Sequence, residues 1–274
     1  MKISEVFLSI QGEGIYTGTP SVFVRTVGCN LSCCFAGGSI CDSMYASHPD
    51  KNEPIINISV PELAKTIASQ LDKIGGDTEN SHIVITGGCP LLHQNEIIEL
   101  ITQLEAENVW NKITIETNGT IKPDPRLLEA TDIFWSVSPK LATSCCFEGT
   151  NIPEAVREHH CKTRINLDAL ATIVMSDQDY QLKFVYSGPE CITEIKELIT
   201  GIKQQVLTCD NEYVRSTIDY KLSEINSHIM LMPEGITNEQ ISASAQEAVQ
   251  YCIENGWRFC DRLHIRIWGD RRAV

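Results

Sequence analysis

"SVFVRTVGCNLSCCFAGGSICDS" (residues 21–43) changes character at Gly28. Its first part is apolar and β-branched, the composition of a strand buried on both faces. Its second part holds four of the chain's twelve cysteines, Cys29, Cys33, Cys34 and Cys41. Thiols placed directly after a strand lie at its carboxyl end, where parallel α/β folds gather their active sites. Structural zinc is one candidate occupant, but it usually takes paired short spacings, and no second pair lies nearby. Iron–sulfur clusters also take soft thiolates. A four-iron cluster held by only three cysteines keeps one iron open for a further ligand. Spacing alone leaves Cys33 and Cys34 as alternatives for the middle position.

The rest of the chain supplies a fold around this stretch. "HIVIT" (82–86), "KITIET" (112–117), "IFWSVS" (133–138), "LKFVY" (182–186) and "HIMLM" (228–232) read as further buried strands, with "RLHIRIW" (262–268) as a seventh. Helical patterns fall between them. Ser59 to Glu62 matches a capping box, with Pro61 in the first turn, and Leu63, Ile67, Leu71 and Ile74 follow on one face. Ile97, Ile101 and Leu104 mark a second helix, and Ile195, Leu198, Ile199 and Ile202 a third. Residues 238–254 form an amphipathic pattern ending near Gly256. This βα alternation predicts an α/β fold with a parallel sheet, open or curled into a barrel. No domain boundary is visible in 1–274; 142–180 and 205–227 are the least regular stretches, expected as insertions, the second as a loop or lid.

Composition narrows the function. With 274 residues, 42% of them hydrophobic, the chain is long enough for a sizeable core and has no apolar run of membrane-spanning length. Its start, "MKISEVFLSIQGEG", places Glu5 inside an apolar run and lacks a signal peptide's hydrophobic segment, so a cytoplasmic protein is expected. A net charge of −14 disfavours direct binding to nucleic acid or anionic membrane. Cys145, Cys146, Cys161, Cys191, Cys209, Cys252 and Cys260 show no ligand spacing and are expected as buried free thiols. The histidines form no ligand pair at helical spacing.

Nine pieces, in order, carry a resemblance: "FLSIQGEG", "SVFVRTVGCNLSC", "CDSMYAS", "ITGGCPLL", "ETNGT", "SVSPK", "LKFV", "LMPEG" and "IRIWGDRRAV". Together they resemble the 7-carboxy-7-deazaguanine synthase family of radical S-adenosylmethionine enzymes, in the queuosine pathway, nearly from end to end. The resemblance implies a partial, open βα barrel of about six parallel strands in a single domain, usually dimeric. It implies a 4Fe-4S cluster, S-adenosylmethionine, Mg²⁺ and a flavodoxin or ferredoxin as electron donor. The implied reaction is ring contraction of 6-carboxy-5,6,7,8-tetrahydropterin to 7-carboxy-7-deazaguanine, with loss of ammonia.

Site residues follow from the same matches. Cys29, Cys33 and Cys41 correspond to the cluster ligands, with Cys34 the alternative to Cys33. The family usually keeps two residues between the last two ligands, so this chain carries about five more, and Gly37 and Gly38 are expected to let that loop fold back. Ser43 stands where the family has a Mg²⁺-binding threonine and keeps the hydroxyl. Ile10, Gln11, Gly12, Glu13, Arg25, Thr86 and the terminal Val274 match pterin contacts; arginine suits a planar carboxylate. Ile40, Cys41, Asp42, Gly87, Gly88, Asn118, Ser138, Pro139, Lys140 and Lys183 match the surroundings of S-adenosylmethionine. Cys89 departs from the family's glutamate in Gly-Gly-Glu-Pro, and is expected as an extra ligand or a redox liability. The competing expectations are a radical enzyme of another substrate, such as a glycyl-radical activase, and a non-catalytic or zinc-binding relative.

Overall fold

The computed structural model describes residues 1–36, 40–76, 78, 80–208 and 215–274. In chain order its elements are β1 (Lys2–Ile10), β2 (Pro20–Thr26), α1 (Met44–Ser47), β3 (Ile56–Asn57), α2 (Val60–Leu71), β4 (His82–Gly87), α3 (Gln94–Ala106), β5 (Lys112–Thr117), α4 (Pro125–Glu129), β6 (Ile133–Val137), α5 (Glu154–Thr163), α6 (Leu167–Met175), β7 (Asp179–Tyr186), α7 (Glu190–Leu207), α8 (Arg215–Glu224), β8 (Ile229–Pro233), α9 (Asn238–Asn255), β9 (Arg258–Phe259) and α10 (Leu263–Trp268).

Nine strands form one sheet in the order β3-β1-β2-β4-β5-β6-β7-β8-β9. Pairings from β2 through β4, β5, β6, β7 and β8 are all parallel, which gives six core strands; β1 joins β2 antiparallel, and β3 joins β1 antiparallel. β3 and β9 are the two ends of the order, so the sheet is an open βα barrel rather than a closed one.

Alternation along the strands sorts side chains onto two faces. Val22, Val24, Ile83, Ile85, Trp135 and Phe184 pack into the helix-covered core. The intervening Arg25, Thr86, Glu116, Ser136 and Lys183 line a cavity on the other face. The strands are therefore buried on both sides, one against helices and one against a polar interior. Gly256, in the left-handed region at φ 67°, ends α9 as expected. Ser59 caps α2 with Glu62 in a complete capping box, a contribution of about 1 kcal/mol. Leu63, Ile67 and Leu71 are buried on that helix as the spacing predicts, while Ile74 lies beyond its end. No helix among the described residues is long and apolar enough to cross a membrane.

Four expectations differ from the structure. "RLHIRIW" contains helix α10, not a strand. Its apolar alternation matches a strand period, but of its apolar residues only Ile265 is buried, and Ile267 is 52% exposed. The stretch 142–180 is more regular than expected: α5 and α6 fill about half of it, and both lie between β6 and β7. The stretch 205–227 holds the end of α7, all of α8 and a 3-10 turn at Ile225–His228; its residues 209–214 lie outside the described residues, Cys209 among them. Of the cysteines expected in the core, Cys191, Cys252 and Cys260 are buried, but Cys145 and Cys146 are half-buried and Cys161 is exposed on the polar helix α5.

Candidate active site

The inner face of the sheet and the loops at its carboxyl edge enclose a cavity of about 400 Å³. Cys29, Cys33 and Cys41 all line it. Cys34 pairs with Ile40 in an antiparallel bridge, and the Cys41 N–H donates to the Cys33 carbonyl at 3.3 Å. The two ends of the long spacing thus lie side by side, and residues 37–39 between them, Gly37 and Gly38 included, lie outside the described residues. Ile40 is exposed beside these thiols. Cys34 is fully buried away from the cavity. Its N–H donates to the Ser144 carbonyl at 2.9 Å, and its own carbonyl accepts from Cys146 N–H at 2.9 Å.

Burial pushes the Cys33 thiol up to about 12 and the Cys41 thiol up to about 11, and it raises Cys29; the Lys140 ammonium opposes the rise at all three. Metal ligation requires thiolates and releases these protons, so a cation in the cavity would replace the charge that burial denies. Among the described residues, no three His, Cys, Asp or Glu side chains converge closely enough to hold a single metal ion. The three thiols border a space instead.

Backbone packing fixes the neighbouring loops. Gly87 has φ 134°, and a Cβ there would lie 2.2 Å from the Thr26 carbonyl oxygen. A Cβ on Gly88 would lie 2.1 Å from the carbonyl oxygen of Gly28. The two glycines therefore let β4 close against the end of β2, directly beside Cys29. Cys89 N–H donates to the Gly28 carbonyl at 2.9 Å. The Cys89 thiol is fully buried and faces Thr117 Oγ1 at 3.5 Å and Asn118 Oδ1 at 3.6 Å, not the cavity. Asn118 in turn donates to Asn30 Oδ1 at 3.0 Å and to Cys29 Sγ at 3.8 Å. Lys140 Nζ donates to Ser138 Oγ at 2.9 Å, with the buried Pro139 between them. Ser43 occupies the N-cap position of α1 but makes no capping bond; its hydroxyl donates to Asp42 Oδ1 at 3.2 Å.

The deeper part of the cavity is a charge network. Arg25 Nε donates to Glu5 Oε1 at 2.7 Å, and Tyr45 Oη donates to the same oxygen at 2.8 Å. Gln11 Nε2 and Thr86 Oγ1 donate to the two oxygens of Glu116 at 3.1 and 2.7 Å. Glu13 accepts from Lys183 and, at 2.9 Å, from Arg262 Nε. Burial alone would raise the Glu13 carboxyl, yet Lys183, Arg262 and His264 outweigh it and hold the group well below its usual value. Arg262 also donates to Asp42, so one buried guanidinium spans the Glu13 loop and the cysteine loop. A Cβ on Gly12 would lie 2.2 Å from His264 Nδ1, so the glycine lets that ring lie against this loop. Ile10 and Val274 line the same cavity.

All the described site candidates except Cys34, Cys89 and Pro139 thus border one space. Two make contacts beyond the expected ones. Lys183, matched to the S-adenosylmethionine side, pairs with Glu13. Glu13, expected to face a ligand ring, holds its oxygens on two cations. Glu5, Glu116, Arg262 and His264 were not expected from sequence. An acidic residue inside each of the strands β1 and β5 was the available signal for the first two, since a charge in a buried strand needs a partner.

An open, mostly parallel βα sheet with thiols at the carboxyl end of its first parallel strand is the radical S-adenosylmethionine class of fold. No family model matches the chain. The 7-carboxy-7-deazaguanine synthase of Halobacterium salinarum is 35% identical over 273 residues, covering 98% of this chain and 91% of that protein. The enzyme of the same name from Rhodopirellula baltica is 34% identical over 272 residues, covering 99% and 88%. The crystal structure of QueE from Escherichia coli has the same fold, with a TM-score of 0.56 at 24% identity over 96% of this chain and 94% of that one. The chain belongs to the 7-carboxy-7-deazaguanine synthase family.

Proposed function

We propose that this protein is a radical S-adenosylmethionine lyase that converts 6-carboxy-5,6,7,8-tetrahydropterin to 7-carboxy-7-deazaguanine with release of ammonia. The observation that carries the reading is that three thiols and a set of carboxylate- and amide-binding side chains line one cavity of about 400 Å³. Ligand sites of this kind are concave and carry a few placed polar groups.

Cys29, Cys33 and Cys41 would hold the 4Fe-4S cluster, because only these three cysteines border the cavity among the described residues. When bound, the cluster and S-adenosylmethionine supply reductive cleavage of the sulfonium and hydrogen abstraction from the pterin. The chain's own residues bind and orient. Asn118 and the Gly87–Gly88 turn hold the loop of Cys29, while Ser138 and Lys140 present a hydroxyl and a cation beside the thiols. Arg25 offers a fork to the pterin carboxylate by exchanging it for Glu5. Gln11, Thr86 and Glu116 offer an acceptor and donors to the ring edge. Lys183 and Arg262 keep Glu13 ionised. Ser43, free of a capping role, offers its hydroxyl to Mg²⁺, a cation that takes oxygen ligands.

The same reading extends to a single domain, a homodimer, a cytoplasmic location and a flavodoxin or ferredoxin donor, with no direct contact to nucleic acid or membrane. Anaerobic reconstitution tests it. About four irons and four sulfides per chain are expected, followed on reduction by cleavage of S-adenosylmethionine. Zinc without cleavage would instead identify a non-catalytic relative.

A further inference from the structure

A second group of thiols gathers behind the cysteine loop, around the 144–146 segment, and Cys145, Cys146 and Cys161 do not line the cavity. Cys34 pairs with Cys145 in a parallel bridge, and the Cys34 N–H donates to the Ser144 carbonyl at 2.9 Å. Helix α5 packs on the same segment. His160 Nε2 lies 3.0 Å from Ser144 Oγ, and the His160 ring meets the Phe147 ring edge-on, with centroids 5.6 Å apart. Arg157 of α5 donates to the carbonyl of Thr150 at 3.0 Å. Ser144 and Phe147 thus bracket Cys145 against His160, and Cys161 is the next residue of the helix. The Cys145 and Cys161 thiols are in hydrogen-bonding contact.

The two thiols meet different surroundings. Cys161 is exposed and Cys145 is half-buried. Burial pushes the Cys145 thiol up to about 12; the contact with Cys161 adds to the rise and the Arg164 guanidinium opposes it. Among the described residues, no third His, Cys, Asp or Glu side chain joins the pair to hold a metal ion. The covalent chemistry open to two adjoining thiols is then a disulfide.

We propose that Cys145 and Cys161 are a redox-active dithiol, which a small-molecule disulfide oxidises to an intramolecular disulfide that fastens α5 to the segment behind the cysteine loop. The exposed Cys161 thiolate attacks one sulfur of the small disulfide and expels the other as a thiolate, leaving a mixed disulfide. Cys145 then attacks the Cys161 sulfur and expels the second small thiolate. The protein pair gives up two electrons and two protons, and the small disulfide takes both to become two thiols. Cys145 is the slower, resolving member, because a thiol held protonated by burial is a poor nucleophile. The closed bond bears on the cysteine loop from two sides. Ser32 N–H donates to His160 Nδ1 at 3.2 Å, and Cys34 N–H donates to the Ser144 carbonyl. Each half of the disulfide therefore adjoins an anchor of that loop. None of this depends on what the cavity binds.

Oxidised glutathione is the probe. The full-length chain is incubated with it, free thiols are blocked with iodoacetamide, and trypsin digestion follows without reductant. Cleavage at Lys140, Arg157 and Lys162 puts Cys145 and Cys161 on separate peptides, 141–157 and 158–162. The expected product, at the intact mass of one chain, is these two peptides joined, with the label on Cys146; dithiothreitol should part them. Cys146→Ser should keep the crosslink, and Cys145→Ser should lose it and retain glutathione on Cys161. Hydrogen exchange across residues 30–35 reads the fastening and should slow about tenfold in the crosslinked chain. Glutathione retained on Cys161 of the wild type, or a crosslink that survives Cys145→Ser, overturns the pair. A crosslink with unchanged exchange overturns the fastening.

Discussion

Cys33 and Cys34 are adjacent in the chain but face different surroundings: Cys33 lines the cavity with Cys29 and Cys41, whereas Cys34 is sealed against the 144–146 segment. The bridge between Cys34 and Ile40 brings the two ends of the long spacing together, beside the contacts that seal Cys34.

After anaerobic reconstitution, Cys33→Ala should lose most of its iron and sulfide, while Cys34→Ala should keep them. Cys89→Ser should also keep them, since that thiol faces Thr117 and Asn118. Iron lost only from the Cys34 variant would reverse the assignment.

A single added methyl tests the loop packing. Gly88→Ala forces a Cβ to within 2.1 Å of the Gly28 carbonyl oxygen, next to Cys29. Backbone cannot yield there as a flexible side chain would. The variant should keep its far-UV circular dichroism and lose cluster loading; normal iron content would show that the Gly28 turn adapts.

Arg262 is the charge hub between the two halves of the site. Arg262→Met leaves Glu13 with one cation and Asp42 with none of the bonds it makes to Arg262. Removing one partner of a buried ion pair costs about 3–5 kcal/mol, and Lys183 should keep the loss near the lower end. Urea unfolding of the metal-free protein measures it. A loss below about 1 kcal/mol would place these pairs among surface ion pairs of little worth.

Much of this was legible beforehand, for identifiable reasons. The parallel strands declared themselves because residues such as Val22, Ile83 and Ile115 must be apolar on the helix-covered face. Capping at Ser59 and the stop at Gly256 are local chemistry, readable from a few residues. β1 was not assigned, because Glu5 interrupts its apolar pattern; the structure supplies the reason in Arg25 and Tyr45. Arg262 was not legible at all, since its partners Glu13 and Asp42 lie 249 and 220 residues away in the chain. Nor did the sequence show that the Gly87–Gly88 pair answers to the end of β2, a contact between separate strands.

The fold should lose stability as pH falls below neutrality. His160 is fully buried, accepts from Ser32 N–H at Nδ1 (3.2 Å) and lies 3.0 Å from Ser144 Oγ at Nε2. Burial lowers His160 and His82 to about 4. Between the unfolded value of about 6.5 and that point, the unfolded chain binds protons that the fold refuses, so stability rises with pH there. Each group should remove at most about 1.4 kcal/mol per pH unit on acidification, the full slope being reached only well below 6.5. Urea midpoints between pH 7 and 5 should fall, and His160→Gln should flatten the slope. A slope unchanged in that variant would mean His160 takes up its proton in the folded state.

The proposed reaction requires one cavity to join a three-thiol site to a pterin pocket. Its most direct test supplies the reconstituted protein with reductant, S-adenosylmethionine, Mg²⁺ and 6-carboxy-5,6,7,8-tetrahydropterin, and follows the product by mass. Formation of 7-carboxy-7-deazaguanine with release of ammonia is the predicted result. Cleavage of S-adenosylmethionine with the pterin recovered unchanged would contradict it.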